Sequence, residues 1–480
     1  MKTYIVIISY ILLIYPWSAL SQKEDYVWVS GHVYRNDGLG NLKIDFNAQP
    51  PILSSIPYAF TFSSTNNCIS DANGALQLMT NGIQIKDAQG RILEGGGAKL
   101  IPDSNYYVDD QSFTGLNFVN GTLLLPLPET KETYALFHYN LRESANPDLL
   151  VEFDTLYMST IKKNNQGRYY ISEFRKKVLL ASIDFYLTSV RHANGKDWWI
   201  VALGRLTNRL YVMRLGKDGA EFSHSQDMGL TIGNVCGAQT KFTPDGKKFI
   251  WFACCSGIHI KDFDRRTGKF CNPVYIPRWD FNESFHSGVE CSPSSQYVYV
   301  NTEVSVWQLD ITAKDIAASK IKLAQIDRFA SDSSFAYEQL APNNKIYISG
   351  SRNHLHVIDK PNLKGTACDL RQNSIKFNIP WRSGLPNFPN FRLGPMDVDV
   401  RPGRDYCISL TTNPVVDRTE ILTDFDYGVV QIFDVAGKLI QEYGANVSTL
   451  DIGHFPSGMY ILTLLGADKK TMVSTKLVKL

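Results

Sequence analysis

The chain has 480 residues, with 49 lysines and arginines against 47 aspartates and glutamates, a net charge of +2 at pH 7. That balance provides no field able to recruit nucleic acid or an anionic membrane. Aromatic residues at 12%, with 34 glycines and 21 prolines, favour many short strands over long helices, and the length admits two or three domains or one large closed all-β unit.

At the N-terminus Lys2 is followed by an apolar run from Tyr4 to Trp17 and then by Ala19-Leu20-Ser21, with small residues at the two positions a signal peptidase reads. Residues 1–21 are expected to be a signal peptide, cleaved between Ser21 and Gln22. The run is shorter than the roughly 20 apolar residues a membrane anchor needs, and no later stretch is apolar enough to span.

Strand-like text then runs from Tyr26 through Val29 and from Leu42 to Phe46. Two alternations, Ala75–Met79 and Ile83–Lys86, flank Thr80-Asn81-Gly82, a favoured hairpin turn. Further strands are predicted at Thr122–Leu127, Tyr134–His138, Asp154–Ile161, Arg168–Ser172 and Asp184–Arg191. Helix-like text is confined to short pieces near Ala313–Ser319.

From residue 242 a repeat organises the chain. Phe242-Thr-Pro-Asp-Gly-Lys-Lys-Phe-Ile250 returns as Cys291-Ser-Pro-Ser-Ser-Gln-Tyr-Val-Tyr299 and as Leu340-Ala-Pro-Asn-Asn-Lys-Ile-Tyr-Ile348, with Pro244, Pro293 and Pro342 spaced 49 residues apart. Proline presets each turn, small polar residues complete it, and an apolar alternation leaves as a strand. Second strands end in aspartate at Asp264, Asp310 and Asp359. Gly195, 51 residues before Gly246, extends the period one unit upstream. A four-stranded sheet every 40–50 residues is the signature of a propeller blade. The expected fold is an all-β propeller of seven blades, with six as the alternative, its N-terminal strands completing the last blade to hide the open edge.

These phrases, together with Cys68-Ile-Ser-Asp-Ala-Asn-Gly74, His192-Ala-Asn-Gly-Lys-Asp-Trp-Trp199, Gly288-Val-Glu-Cys-Ser-Pro293, Pro361-Asn-Leu-Lys-Gly-Thr-Ala-Cys368 and Gly384-Leu-Pro-Asn-Phe388, resemble successive blade motifs of exported Bacteroidetes propeller proteins, of WD-repeat-like or gliding type. Such proteins often carry a polycystic-kidney-disease-type sandwich after the propeller, and here the chain goes to a different tail. That tail reads Val429-Val-Gln-Ile-Phe-Asp-Val-Ala-Gly-Lys-Leu-Ile440, Phe455-Pro-Ser-Gly458, Met459–Leu465 and Val473–Leu480, a small Ig-like β-sandwich. Its order of phrases is similar to the C-terminal sorting domain of the type IX secretion system. The resemblance implies passage across the outer membrane, then release or attachment at the cell surface, with the secretion machinery as a partner. The expected division is 1–21 signal peptide, 22–405 propeller and 410–480 sorting sandwich.

Eight cysteines, at 68, 236, 254, 255, 271, 291, 368 and 407, permit disulfides in an exported chain without fixing a pairing. Cys291 takes the slot that Phe242 and Leu340 hold in its sister repeats, as a small core hydrophobe would. His354 and His356 alternate on one strand, but no third ligand lies nearby, and no metal or other cofactor is expected. Asp71-Ala-Asn-Gly74 opens like a calcium loop, yet its twelfth position is Gly82, where a bidentate Glu is needed, so a plain turn is expected. The paired acids Asp262/Asp264 and Asp397/Asp399 read as solvated faces. No sialidase box, Gly-x-Ser-x-Gly elbow or His-Glu-x-x-His motif is present, so no catalytic residue is assigned.

Recognition remains. Two positions before Thr243 and its equivalents stand Lys241, Glu290 and Gln339, one slot of the innermost strand with three different polar groups, expected to face the central channel and to be ligand-binding. Trp198, Trp199 and Trp381 offer either exposed stacking platforms for sugars or inter-blade packing. The expected function is non-catalytic binding of a protein or glycan by a monomer outside the cell. A polysaccharide-active hydrolase or lyase and a structural surface or motility component are the alternatives.

Overall fold

The computed structural model describes residues 22–31, 40–56, 61–101, 115–144, 151–227, 238–253, 256–279, 287–326, 334–350, 353–379, 384–396, 408–423, 426–445, 447–467 and 471–480. The expected signal peptide up to Ser21, Cys236, Cys254, Cys255, Cys407, Trp381, Asp397 and Asp399 lie outside them.

One turn, repeated, builds the molecule. In each of five units an amide closes back on the carbonyl three residues earlier: Gly74 to Asp71, Gly195 to His192, Gly246 to Thr243, Ser295 to Ser292 and Asn344 to Ala341, at 2.7–2.9 Å. The donor in every case has positive φ, between 61° and 89°. Glycine holds that place without strain, and Ser295 and Asn344 bear it where the 49-residue period puts them. This is a type I turn followed by a left-handed residue, which reverses the chain into an antiparallel hairpin.

Seven blades follow in chain order, two of them joined in one seven-stranded sheet. Blade 1 is Val27–Ser30, Asn41–Asp45 and Ile52–Ile56; blade 2 is Asn67–Ser70, Leu76–Thr80 and Ile85–Asp87. Blades 3 and 4 share one strand: Tyr169–Arg191 pairs by its first half with Val151–Lys163, beside Tyr134–Glu143 and Leu123–Pro126, and by its second half with Trp198–Gly204, beside Arg209–Gly216 and Gly219–Asp227. It is thus the outer strand of one blade and the inner strand of the next, with repeated register shifts where it crosses over. Blade 5 is Ala238–Phe242, Lys248–Ala253, Gly257–Asp264 and Lys269–Pro277; blade 6 is Ser287–Cys291, Tyr297–Thr302, Ser305–Asp310 and Ile321–Gln325; blade 7 is Glu338–Leu340, Ile346–Ser349, His354–Ile358 and Leu370–Lys376. Among the described residues these make a β-propeller of seven blades.

Two expectations are corrected. The N-terminal strands form a blade of their own, because Leu370–Lys376 already fills the outer place of blade 7. The ring ends meet through side chains instead: Trp28 packs against Tyr347 at 5.5 Å and Phe388 at 6.2 Å, in one apolar cluster with Leu355 and Val357. Gly384-Leu-Pro-Asn-Phe388 does not start a blade. Residues 384–396 run across the centre, where Ser30 and Asn66 bond the Gly384 carbonyl and Arg265 bonds that of Gly394.

Trp198 and Trp199 are buried, which removes them as stacking platforms and leaves packing as their role. Arg191 lies 3.7 Å over the Trp198 ring, and the Trp199 indole donates to the Arg265 carbonyl of blade 5. Cys68, Cys291 and Cys368 are buried free thiols, Cys291 inside the apolar layer shared by blades 5 and 6, and Cys271 is disulfide-bonded.

The C-terminal residues fold as a two-sheet sandwich. One sheet is Ile408–Leu410, Arg418–Thr423 and Thr449–Asp451; the other orders Leu439–Tyr443, Tyr427–Asp434, Gly458–Gly466 and Met472–Lys479. Val430, Ile432, Leu450, Leu462, Leu464 and Leu477 fill the space between them. The first sheet packs against the outer strand of blade 5, where Lys269 reaches Asp426 at 3.3 Å.

Candidate functional site

The inner strands of blades 5, 6 and 7 converge on the axis, and the period places the same side-chain slot of each toward it. Lys241, Glu290 and Gln339 meet there. The Lys241 ammonium lies 3.1 Å from Glu290 and donates to the Gln339 side-chain carbonyl at 2.6 Å. Glu290 also accepts the backbone amides of Cys291 at 2.8 Å and Leu340 at 2.9 Å. All three are nearly inaccessible, at 3–4% exposure, so the charges hold each other in place of water.

One layer deeper, Gln239 accepts the amides of Val289 and Glu338 and donates to the Glu338 carbonyl, joining blades 5 and 7 past blade 6. Opposite, Asn387 at the middle of the crossing segment donates to the carbonyls of Thr122 and Leu187 and accepts from Asn120. The centre is therefore crossed at two places, and the expected channel is a closed-floored cavity.

That cavity measures about 180 Å³. On this measure one water needs ~10–15 Å³, so the space admits a polar group together with water. Lys241, Glu290 and Gln339 line it together with Thr188 and Ser189 of blade 4, and Asn344, Asp25 and Arg392 add further polar groups beside an apolar part that includes Pro244, Pro293 and Phe388. Asp25 and Arg392 form a two-bonded pair at 2.6 and 2.7 Å, joining the first described residues to the end of the crossing segment.

Beside this group, Glu338 points sideways from blade 7 into blade 6. Asn301 donates to one of its carboxyl oxygens at 2.6 Å, and the other has no hydrogen-bond partner among the described residues. Burial first, then the Glu290 charge, pushes its pKa from 4.5 up to about 8, against lowering by Asn301 and Lys241. Gly288 makes this possible, since a Cβ there would lie 2.9 Å from the Glu338 side chain.

Lys241, Glu290 and Gln339 come together as their common place in the repeat implies, whereas Asp25, Arg392, Glu338 and Gln239 are not among the residues expected from sequence. The last two occupy neighbouring positions of the same repeat and were legible by the same count. Asp25 and Arg392 lie outside the period and carried no signal. Elsewhere, Asp71 accepts the amides of Asn73 and Ala75, a self-capped turn. Both ring nitrogens of His356 are engaged, with Ser334 and Asn373, while Asp262 bonds Asn272 and pairs with Lys248.

Among the described residues no helix is long and apolar enough to cross a membrane. No curated protein sequence matches the chain. Among solved structures, a putative 6-phosphogluconolactonase from Bacteroides uniformis is 12% identical, covering 76% of this chain and 99% of its own, with a TM-score of 0.43. PorZ, a surface component of the type IX secretion system of Porphyromonas gingivalis, is 9% identical over 92% of this chain and 63% of its own, with a TM-score of 0.32. The β-propeller domain of Swd1 from Myceliophthora thermophila is 11% identical over 74% and 99%, with a TM-score of 0.31. Residues 412–479 match the family described as the secretion system C-terminal sorting domain. The tail belongs to that sorting family, and the chain is a β-propeller protein exported by the type IX route to the cell surface or the medium.

Proposed function

We propose that the protein is a non-catalytic binder whose propeller presents the central cavity to a protruding polar group of a protein or glycan. The observation that carries this is the convergence of Lys241, Glu290 and Gln339 from three blades onto one cavity. Ordinary solvated walls would not require three buried polar groups at one repeating slot.

The same geometry argues against hydrolysis. A glycosidase uses two carboxyl groups flanking the scissile bond, one able to give a proton and one free to attack or to activate water. Asp25 has both oxygens on Arg392, and Glu290 is tied to Lys241 and two amides. The ligand instead meets donors and acceptors held by the surrounding blades, with Asn344 among the residues that line the cavity.

The purified exported chain should retain a partner on a glycan array, a polysaccharide panel or an immobilised extracellular protein fraction, without releasing sugar. Retention should fall at least ~10-fold in Asn344→Ala, a loss of about 1.4 kcal/mol. Released sugar, or retention indifferent to the cavity variant, would sink the reading.

A further inference from the structure

Among the described residues blade 1 has three strands, and its exposed third strand carries the consequence. In blades 4 to 7 the third strand is covered by a fourth: Gly257–Asp264 and Ser305–Asp310 are largely buried, and His354–Ile358 is buried throughout. Ile52–Ile56 occupies the same third place, next to Asn41–Asp45, yet four of its five residues are exposed and the fifth is half-buried. Its residues are those of a covered strand, Ile-Leu-Ser-Ser-Ile, with Ile52 at 56% and Leu53 at 38% exposure. Blade 2 is also three-stranded, but there residues 91–97 fold back over Ile85–Asp87 and bond its backbone. Among the described residues nothing pairs with the outer edge of Ile52–Ile56.

Exposed edges are normally blunted by a charge, a proline or a bulge within the strand, and this one has none of them. We propose that a second copy of this chain fills the place, the two Ile52–Ile56 strands pairing antiparallel about a two-fold axis at Ser54. The occupant follows from the sequence of the edge. In that register Ile52 lies opposite Ile56 of the second copy, Leu53 opposite Ser55, and Ser54 opposite itself, so the pairing sets apolar against apolar and no like charges face each other. Pro51 and Pro57 bound the strand and limit the ladder to five residues, which makes the association weak and concentration-dependent. It departs from the monomer expected from sequence. If the cavity binds as proposed, the dimer presents two cavities and gains avidity on a surface-bound partner.

The test is sedimentation velocity on the purified exported protein across a concentration series, with three variants. Wild type should shift from monomer toward dimer as concentration rises. Ser54→Lys puts two ammonium groups face to face at the axis and should abolish the shift, with an unchanged melting temperature showing that the exposed site left the fold intact. Under dissolved oxygen, which takes up the two electrons and two protons, with a copper catalyst, Ser54→Cys should oxidise to a disulfide-linked dimer, because residues facing across an antiparallel pair have Cα atoms about 4.5–5.5 Å apart, within disulfide range. Ser223→Cys, exposed on blade 4, should not. A wild type monomeric at every concentration, a dimer that survives Ser54→Lys, or a dimer in which Ser54→Cys fails to cross-link would each overturn the proposal.

Discussion

Two buried ionisable groups set how stability follows pH. Glu338 keeps its proton in the folded state up to about pH 8, whereas an unfolded glutamate gives it up near 4.5. Between those values the folded chain binds the extra proton, so stability falls as pH rises, by roughly 5 kcal/mol at 1.36 kcal/mol per unit. Lys261 runs the other way. It is buried, its ammonium has no hydrogen-bond partner among the described residues, and burial lowers its pKa from 10.5 to about 8, only partly opposed by Asp227. From pH 8 to 10.5 the unfolded chain binds the extra proton, so stability rises with pH, by roughly 3 kcal/mol. Denaturant unfolding across pH 4–11 should show a minimum near pH 8. Glu338→Gln should flatten the acid arm and Lys261→Met the alkaline one; an unchanged profile in both would refute the assignment. Lys241 behaves differently, being paired: Lys241→Met leaves Glu290 buried without its cation and should cost about 3–5 kcal/mol, much of it recovered in Lys241→Met/Glu290→Gln.

At the scale of elements, the segment 384–396 does the work that shared strand pairing does in other closed sheets. Asn387 alone connects Thr122 of blade 3 with Leu187 of blade 4, and its backbone amide bonds Asn66. Asn387→Ala removes its side-chain bonds to the Thr122 and Leu187 carbonyls and to Asn120, while the backbone bond to Asn66 and the Asn67 bond to Thr122 stay; a buried polar group left unsatisfied costs ~1–3 kcal/mol. The expected outcome is a loss of at least ~2 kcal/mol in denaturant unfolding, with faster amide exchange at Leu187, which donates to the Asn120 carbonyl. An effect under ~0.5 kcal/mol would mean that the ring is held by its apolar inter-blade layers alone.

On the whole-molecule scale, disc and sandwich have separate tasks. The sorting sandwich has its own apolar core and touches the propeller along one outer strand of blade 5. Removing residues 412–479 should leave a folded propeller stranded short of the cell surface, read by fractionation and by the melting transition of the retained chain. A truncated chain that still reaches the surface would show that the export signal lies elsewhere.

The period of 49, the turn residues and the alternation behind them were enough to read blades 5 to 7, because each blade is built from local hairpins whose signals lie within a few residues of one another. The slot of Lys241, Glu290 and Gln339 was legible for the same reason, since equal positions in equal repeats must point the same way. The tail is legible in its own phrases, since its strands and turns are likewise local. Tertiary structure alone decided how the ring closes, that Gly384–Met396 crosses the centre, that Asp25 meets Arg392, and that Ile52–Ile56 is left uncovered. Those features join residues hundreds of positions apart or depend on an edge that no strand pairs with among the described residues. Neither leaves a periodic trace in the chain, because burial at such places is fixed by what arrives from elsewhere and not by neighbours in sequence.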